Sequence, residues 1–125
     1  MVVSTEAGHR KLEVFEVERW RFATGDWQTP FLPIDRELCW RWVDVSGRPH
    51  PHLQKLSREE LIAKREPPCK LESLWKEKCD WEVEINSGTD AEGWRYGLAW
   101  KSSTWEVTPG IFDVLRKRKW LRTYA

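Results

Sequence analysis

A chain of 125 residues makes one domain, or one domain with a tail, and can bury a core without obligatory disulfides. Its 21 basic and 20 acidic residues nearly cancel, so bulk charge selects no partner and any basic patch must be local. No apolar run nears the ~20 residues that span a bilayer, no secretory core is recognisable near Met1, and Cys39, Cys69 and Cys79 form no CxxC. That cysteine usage argues against a zinc site or a disulfide framework and fits reduced thiols in a cytosolic setting.

The main compositional fact is 10 tryptophans. Residues 1–10 lack periodicity and read as a flexible lead-in to a single domain over 11–125. "KLEVFEVERW" (11–20) mixes β-branched, aromatic and charged residues, which predicts a strand. Gly25, Pro30 and Pro33 punctuate a loop. "CWRWVDVSGRPHPH" (39–52) reads as a short extended piece with a turn at Ser46-Gly47. Ser57 followed by Glu60 is a capping box, predicting a helix over about 58–65 that Pro67-Pro68 stops.

"CDWEVEIN" (79–86) alternates Trp81, Val83 and Ile85 against Asp80, Glu82 and Glu84. "SGTDAEG" (87–93) is a turn. "WRYGLAWK" (94–101) alternates again, with Trp94, Tyr96, Leu98 and Trp100 on one face. "SSTWEVTPG" (102–110) reads as a loop, and residues 111–124 as the last strand. Strands, one short helix and long loops predict an antiparallel all-β architecture, a sheet or sandwich.

The last strand sorts its cations. Val114, Arg116, Arg118, Trp120, Arg122 and Tyr124 share one face; Leu115, Lys117, Lys119 and Leu121 share the other. Guanidinium groups are planar and weakly hydrated and stack on indoles, whereas ammonium groups are compact and strongly hydrated. The expectation is that Arg116, Arg118 and Arg122 stack on tryptophans of other strands, at ~0.5–2 kcal/mol each. Trp20, Trp27, Trp81, Trp94, Trp100 and Trp120 are the candidate partners. Arg19 and Arg21 flank Trp20, and Arg41 sits between Trp40 and Trp42. The Lys117/Lys119 face is expected to be solvated, as are the carboxylates on alternating strand faces.

These motifs resemble the dysferlin domain. "EVFEVERWRFATGDWQTPFLPIDRELCWRWVDVSG" is similar to its amino-terminal half-motif (about 13–47), and "GWRYGLAWKSSTW…VLRKRKWLR" to its carboxy-terminal one (about 93–122). Gly93-Trp94-Arg95-Tyr96, Arg116 to Arg122 and Asp80-Trp81-Glu82 are the most specific elements. The family includes ferlins, fungal peroxins, tectonin β-propeller-repeat proteins and short stand-alone proteins of yeast spore membranes. The resemblance implies a β fold knitted by Arg/aromatic stacks, in proteins that act at membranes. RKRK stands where the family usually runs arginines, and its lysines fall on the face read as solvated. An insertion around 50–75 carries the helix. "DVSGRPHPHL" looks more like the tectonin and peroxin versions than the ferlin one.

The resulting expectation is a monomeric, non-catalytic binding module, cytoplasmic and peripheral to organelle membranes. Trp105, Ile111 and Phe112 form its candidate contact loop, with Lys101, Lys117 and Lys119 as electrostatic support, since Trp favours the lipid interface and lysines favour anionic headgroups. The alternative for Trp105 is that it folds back onto the sheet. The tectonin resemblance implies sphingomyelin as a candidate, its choline held by Trp105 with Trp100 or Trp27; an anionic phospholipid is the other. Membrane repair, remodelling or organelle biogenesis is the implied setting. A second reading is a protein adaptor at membrane contacts or in peroxisome biogenesis, docking through 50–68 by Leu61 and Ile62. Nucleic acid is disfavoured, because stacked arginines are less available to phosphate. No cofactor, catalytic group or metal is expected: GxSxG, HExxH and a phosphate loop are missing from the sequence, and neither His50/His52 nor Asn86/Asp90/Glu92 has metal-ligand spacing.

Overall fold

The structure is a computed structural model that describes residues 2–6, 9–21, 25–28, 41–71, 74–98, 104–110 and 113–125. Two long strands carry the architecture: β2 (His9–Arg21) and the last strand, Leu115–Tyr124. They pair antiparallel over ten positions, from Arg10↔Tyr124 to Arg19↔Leu115. Shorter pieces line their outer edges. β1 (Val2–Glu6), β3 (Asp26–Gln28) and β4 (Trp42–Val43) pair with β2. β5 (Glu82–Val83) and β6 (Arg95–Gly97) pair with Leu115–Tyr124, here β7. The described strands form a single 7-stranded sheet. The all-β, antiparallel expectation therefore holds, as one sheet with a core on each face.

Residues 2–6, expected as a lead-in without structure, are instead a strand paired to the start of β2. Val2, Val3 and Thr5 suit the pleated backbone, and the edge of β2 opposite β7 offers donors and acceptors that must be satisfied. The predicted helix is present as α1 (Arg58–Ala63), with both capping-box bonds formed between Ser57 and Glu60. Its C-cap is Lys64, before the two prolines. The predicted strand at 79–86 contracts to β5, and within the described part of 94–101 the strand is β6, because among the described residues these stretches pair to β7 only at Glu82, Val83 and Arg95–Gly97.

Alternation decides which side each residue faces. Leu12 and Val14 of β2 and Trp120 and Tyr124 of β7 form one core with Trp42, Cys69 and Leu71. Leu53, Trp75, Trp81 and Val83 pack against it, so the 50–75 insertion covers this face. Val17, Leu115 and Val43 form the smaller core opposite, joined by Phe15, Trp105 and Val114. Leu61 is buried, and its carbonyl accepts from Trp42 Nε1 at 2.9 Å. The insertion is thus tied to the first core through the side chain of β4.

His50 anchors the same insertion. Its Nε2 lies 2.8 Å from the Glu13 carbonyl, and its Nδ1 accepts from the His52 amide at 3.1 Å. Those partners require the neutral tautomer with the proton on Nε2. Burial pushes its pKa down to about 4. This histidine is a structural clasp. Cys69, also buried, has its thiol pushed up to about 12 by burial, which leaves it inert as a nucleophile. Among the described residues no group of His, Cys, Asp and Glu could hold a metal ion, and no helix is long and apolar enough to cross a membrane.

Candidate functional site

The sorting of cations along β7 follows from its register with β2. Directly opposed residues share a face. Glu16 is opposite Arg118 and Glu18 opposite Arg116, so each arginine meets a carboxylate. Arg118 Nε donates to Glu16 Oε1 at 2.6 Å, and Arg116 donates to Glu18 Oε1 through Nε at 2.9 Å and through Nη2. Arg41 donates to Glu16 Oε2 through Nε at 3.0 Å and through Nη2, and Trp120 Nε1 donates to Oε1 at 3.0 Å. Glu16 is 0% exposed. Burial alone would raise its pKa, but Arg41 and Arg118 outweigh it and hold the carboxyl below its ordinary value.

The same guanidiniums stack. Arg116 lies 4.0 Å from the Trp94 ring centre and 4.9 Å from Trp27. Arg118 lies 4.4 Å from Trp94 and 5.1 Å from Trp120. Arg122 lies 5.6 Å from Trp81, donates to the Cys79 carbonyl at 2.9 Å and pairs with Glu77 at 3.4 Å. Arg116, Arg118 and Arg122 thus lie on Trp27, Trp81, Trp94 and Trp120, four of the candidate partners. Trp20 instead packs edge-on against Trp27 at 5.4 Å. Trp100 lies outside the described residues.

Trp94 reaches its place through a turn built on Asp90. Its Oδ1 accepts from the amides of Glu92 and Trp94, each at 2.9 Å, and its Oδ2 accepts from Tyr96 Oη at 2.6 Å. Burial raises this carboxyl; the Tyr96 hydroxyl and the two amides more than offset that, and its pKa is lowered. Gly93 closes the turn at φ +90°, and a Cβ there would lie 2.3 Å from Val83 Cγ1. Asp90, half-buried, is the hydrogen-bonding hub of this turn.

Two expectations are corrected. Glu16 and Glu18 are not solvated carboxylates, since the β2–β7 register turns them onto the arginine face. The lysine face is not fully solvated either: Lys117 and Lys119 are half-buried, and Trp105 lies over Lys117. Lys117 Nζ lies 4.0 Å from the Trp105 ring centre and 5.4 Å from Phe15. Burial first, then the neighbouring charges of Arg95 and Lys119, push the Lys117 pKa down to about 8. Lys119 Nζ sits between Glu13 at 3.2 Å and Glu84 at 3.7 Å.

Of the candidate contact loop, Trp105 belongs to a segment that returns to the sheet. Glu106 and Tyr96 exchange backbone hydrogen bonds of 2.9 Å in each direction. The Trp105 ring packs on Gly97, where an added Cβ would lie 2.9 Å from Cε3. The indole is half-buried, so the alternative of folding back is the one realised. The sequence reading missed the side chains exposed beside it: Leu98, 59% exposed, and Val107, 39% exposed, both within two residues of the Tyr96–Glu106 bridge. Lys101, Ile111, Phe112 and the Ile62 side chain lie outside the described residues.

No family model matches the chain. Its sequence is similar to segments of curated proteins, among them the following. It is 31% identical over 111 residues to tectonin beta-propeller repeat-containing protein 1 of Xenopus tropicalis, covering 87% of this chain and 8% of that protein. Against the tectonin beta-propeller repeat-containing protein of Drosophila melanogaster it is 30% identical over 115 residues, 87% of this chain and 7% of the relative. Against tectonin beta-propeller repeat-containing protein 1 of Homo sapiens it is 30% identical over 116 residues, 90% and 8% respectively. The chain therefore spans less than a tenth of the length of the curated relatives it matches, and its likeness is to one segment of tectonin repeat-containing proteins.

Proposed function

We propose that this chain is a non-catalytic, dysferlin-type binding module that docks on a membrane surface from the cytosol and reads a lipid headgroup. Sphingomyelin and anionic phospholipids are the candidate ligands. The observation that carries the reading is the exposure of Leu98 and Val107 on the two arms joined by the Tyr96–Glu106 bridge, in the segment whose Trp105 lies over Lys117. Exposed apolar side chains in a segment that also carries an indole and a cation suit a bilayer interface. The segment-sized match within much longer proteins, named for a different repeat architecture, supports a portable module. The dysferlin resemblance extends this to membrane repair, remodelling or organelle biogenesis. A protein adaptor docking through 50–68 has less support, because Leu61 is turned into the protein's own core.

Co-sedimentation with phosphatidylcholine vesicles tests this, with sphingomyelin, phosphatidylserine or neither added. Leu98→Asp and Val107→Asp are the informative variants, since both side chains are exposed and the fold should survive. Trp105→Ala is less clean, because that ring also packs the second core. The expected result is binding that either aspartate variant reduces at least severalfold while circular dichroism is unchanged. Binding only to phosphatidylserine, unaffected by the aspartates and lost in salt, would transfer the contact to the basic residues. Absence of binding to every vesicle would overturn the reading.

A further inference from the structure

The lysine face holds a cavity that neither the Arg/Trp ladder nor the exposed rim explains. It has a volume of about 90 Å³, with Phe15 as one wall, Arg95, Lys117 and Lys119 around it, and Glu84, Thr89 and Gly93 also lining it. Arg118 also reaches it, but that guanidinium is already committed to Glu16. Drug-sized ligands occupy roughly 300 Å³ or more, so the cavity suits a small group, not a nucleoside or a lipid chain.

We infer that this cavity binds a phosphoryl oxyanion, a phosphate monoester that is either displayed on a lipid headgroup or free in solution, held between Arg95, Lys117 and Lys119. Charge is the first argument. Among the described residues Glu84 is the lining carboxylate, and it is shared by Arg95 and Lys119, each at 3.7 Å. Glu13 reaches Lys119 from the adjacent position at 3.2 Å. Among the described lining residues these three cations thus converge beside one carboxylate. Shape is the second argument. A tetrahedral oxyanion offers separate oxygens to a guanidinium fork and to two ammonium groups at once, which a planar carboxylate does less well. The depressed pKa of Lys117, traced to burial and then to Arg95 and Lys119, is consistent with a positive potential that an anion would relieve. Nucleic acid was disfavoured because the arginines of RKRK are stacked; the lysines of the same run face this cavity instead. The inference stands independently of the membrane reading.

The test is a titration of the whole chain with inorganic phosphate at constant ionic strength, followed by NMR of the lysine ammonium and Phe15 ring signals. Saturable binding is expected, with a Kd of about a millimolar or tighter. Lys117→Met should weaken it by roughly tenfold or more, as loss of a charge-assisted contact does. Glu84→Gln should strengthen it, a gain that misfolding cannot mimic. Lys64→Gln, in a separate groove beyond α1, should leave it unchanged. Non-saturable shifts, weaker binding in Glu84→Gln, or equal loss in Lys64→Gln would overturn the proposal. Vesicles then separate the sources. Binding to phosphatidic acid that Lys117→Met abolishes assigns the lipid phosphate; phosphate binding with no preference for phosphatidic acid over phosphatidylcholine assigns a free monoester.

Discussion

The two faces of β7 carry cations on alternate residues, yet they use them differently. On one face each guanidinium does two things at once: Arg116 and Arg118 bind Glu18 and Glu16 edge-on while their flat surfaces rest on Trp94. A planar fork permits this because its hydrogen bonds lie in the plane and its stacking lies above it. On the other face the ammonium groups divide the roles. Lys117 sits over Trp105, and Lys119 sits between Glu13 and Glu84. The arginine face is therefore a closed network that holds the sheet together, whereas the lysine face keeps a cavity open beside its charges. A scaffold and a candidate site are separated by the thickness of one strand.

The largest expected effect is on the closed face. Glu16→Ala strands Arg41, Arg118 and the Trp120 indole nitrogen together, and should cost about 3–5 kcal/mol in urea unfolding, as breaking a buried charged network does. A loss near that of an exposed pair, below about 1 kcal/mol, would mean that the network is not closed. Next comes Arg118→Lys, which keeps the charge but loses the fork and the stack. It should lower stability by about 1–2 kcal/mol.

The lysine face should respond to pH in the same sense as the carboxylate network, but in an alkaline window. The folded pKa of Lys117 is depressed to about 8, below the ordinary lysine value of about 10.4. In that window the unfolded chain holds more protons, so stability should rise as pH goes from about 8 towards 10. Solvent screening of a part-exposed lysine limits the gain to about 1 kcal/mol. Lys117→Met should remove this rise. Glu16, whose folded pKa is lowered, contributes stability that is present above its unfolded pKa and is lost as pH falls through the folded one. The smallest effect is expected for Lys119→Arg, within about 0.5 kcal/mol, since either cation can serve Glu13 and Glu84. Equal losses for Arg118→Lys and Lys119→Arg would erase the distinction between the faces.

Much of this was legible in the chain. Period-two alternation placed Arg116, Arg118 and Arg122 together and set Lys117 and Lys119 apart. The indole excess beside those arginines pointed to stacking, and Ser57 with Glu60 located α1. Each of these is a local signal, carried by spacing alone. The carboxylates of the network were misread, although Glu16 and Glu18 continue the buried face of Leu12 and Val14. An acidic residue in an alternating strand is ambiguous until its cross-strand neighbour is known.

The sequence by itself determined the β class, the helix cap and the division of cations between two faces of the last strand, because those follow from backbone geometry and nearest neighbours. Only the tertiary structure decided that Glu16 is buried between two arginines, that Trp105 lies over Lys117, and that Leu98 and Val107 are left at the rim. These outcomes depend on the register of β2 against β7 and on the Tyr96–Glu106 pairing. Such contacts join residues up to about a hundred positions apart, and no spacing along the chain encodes them.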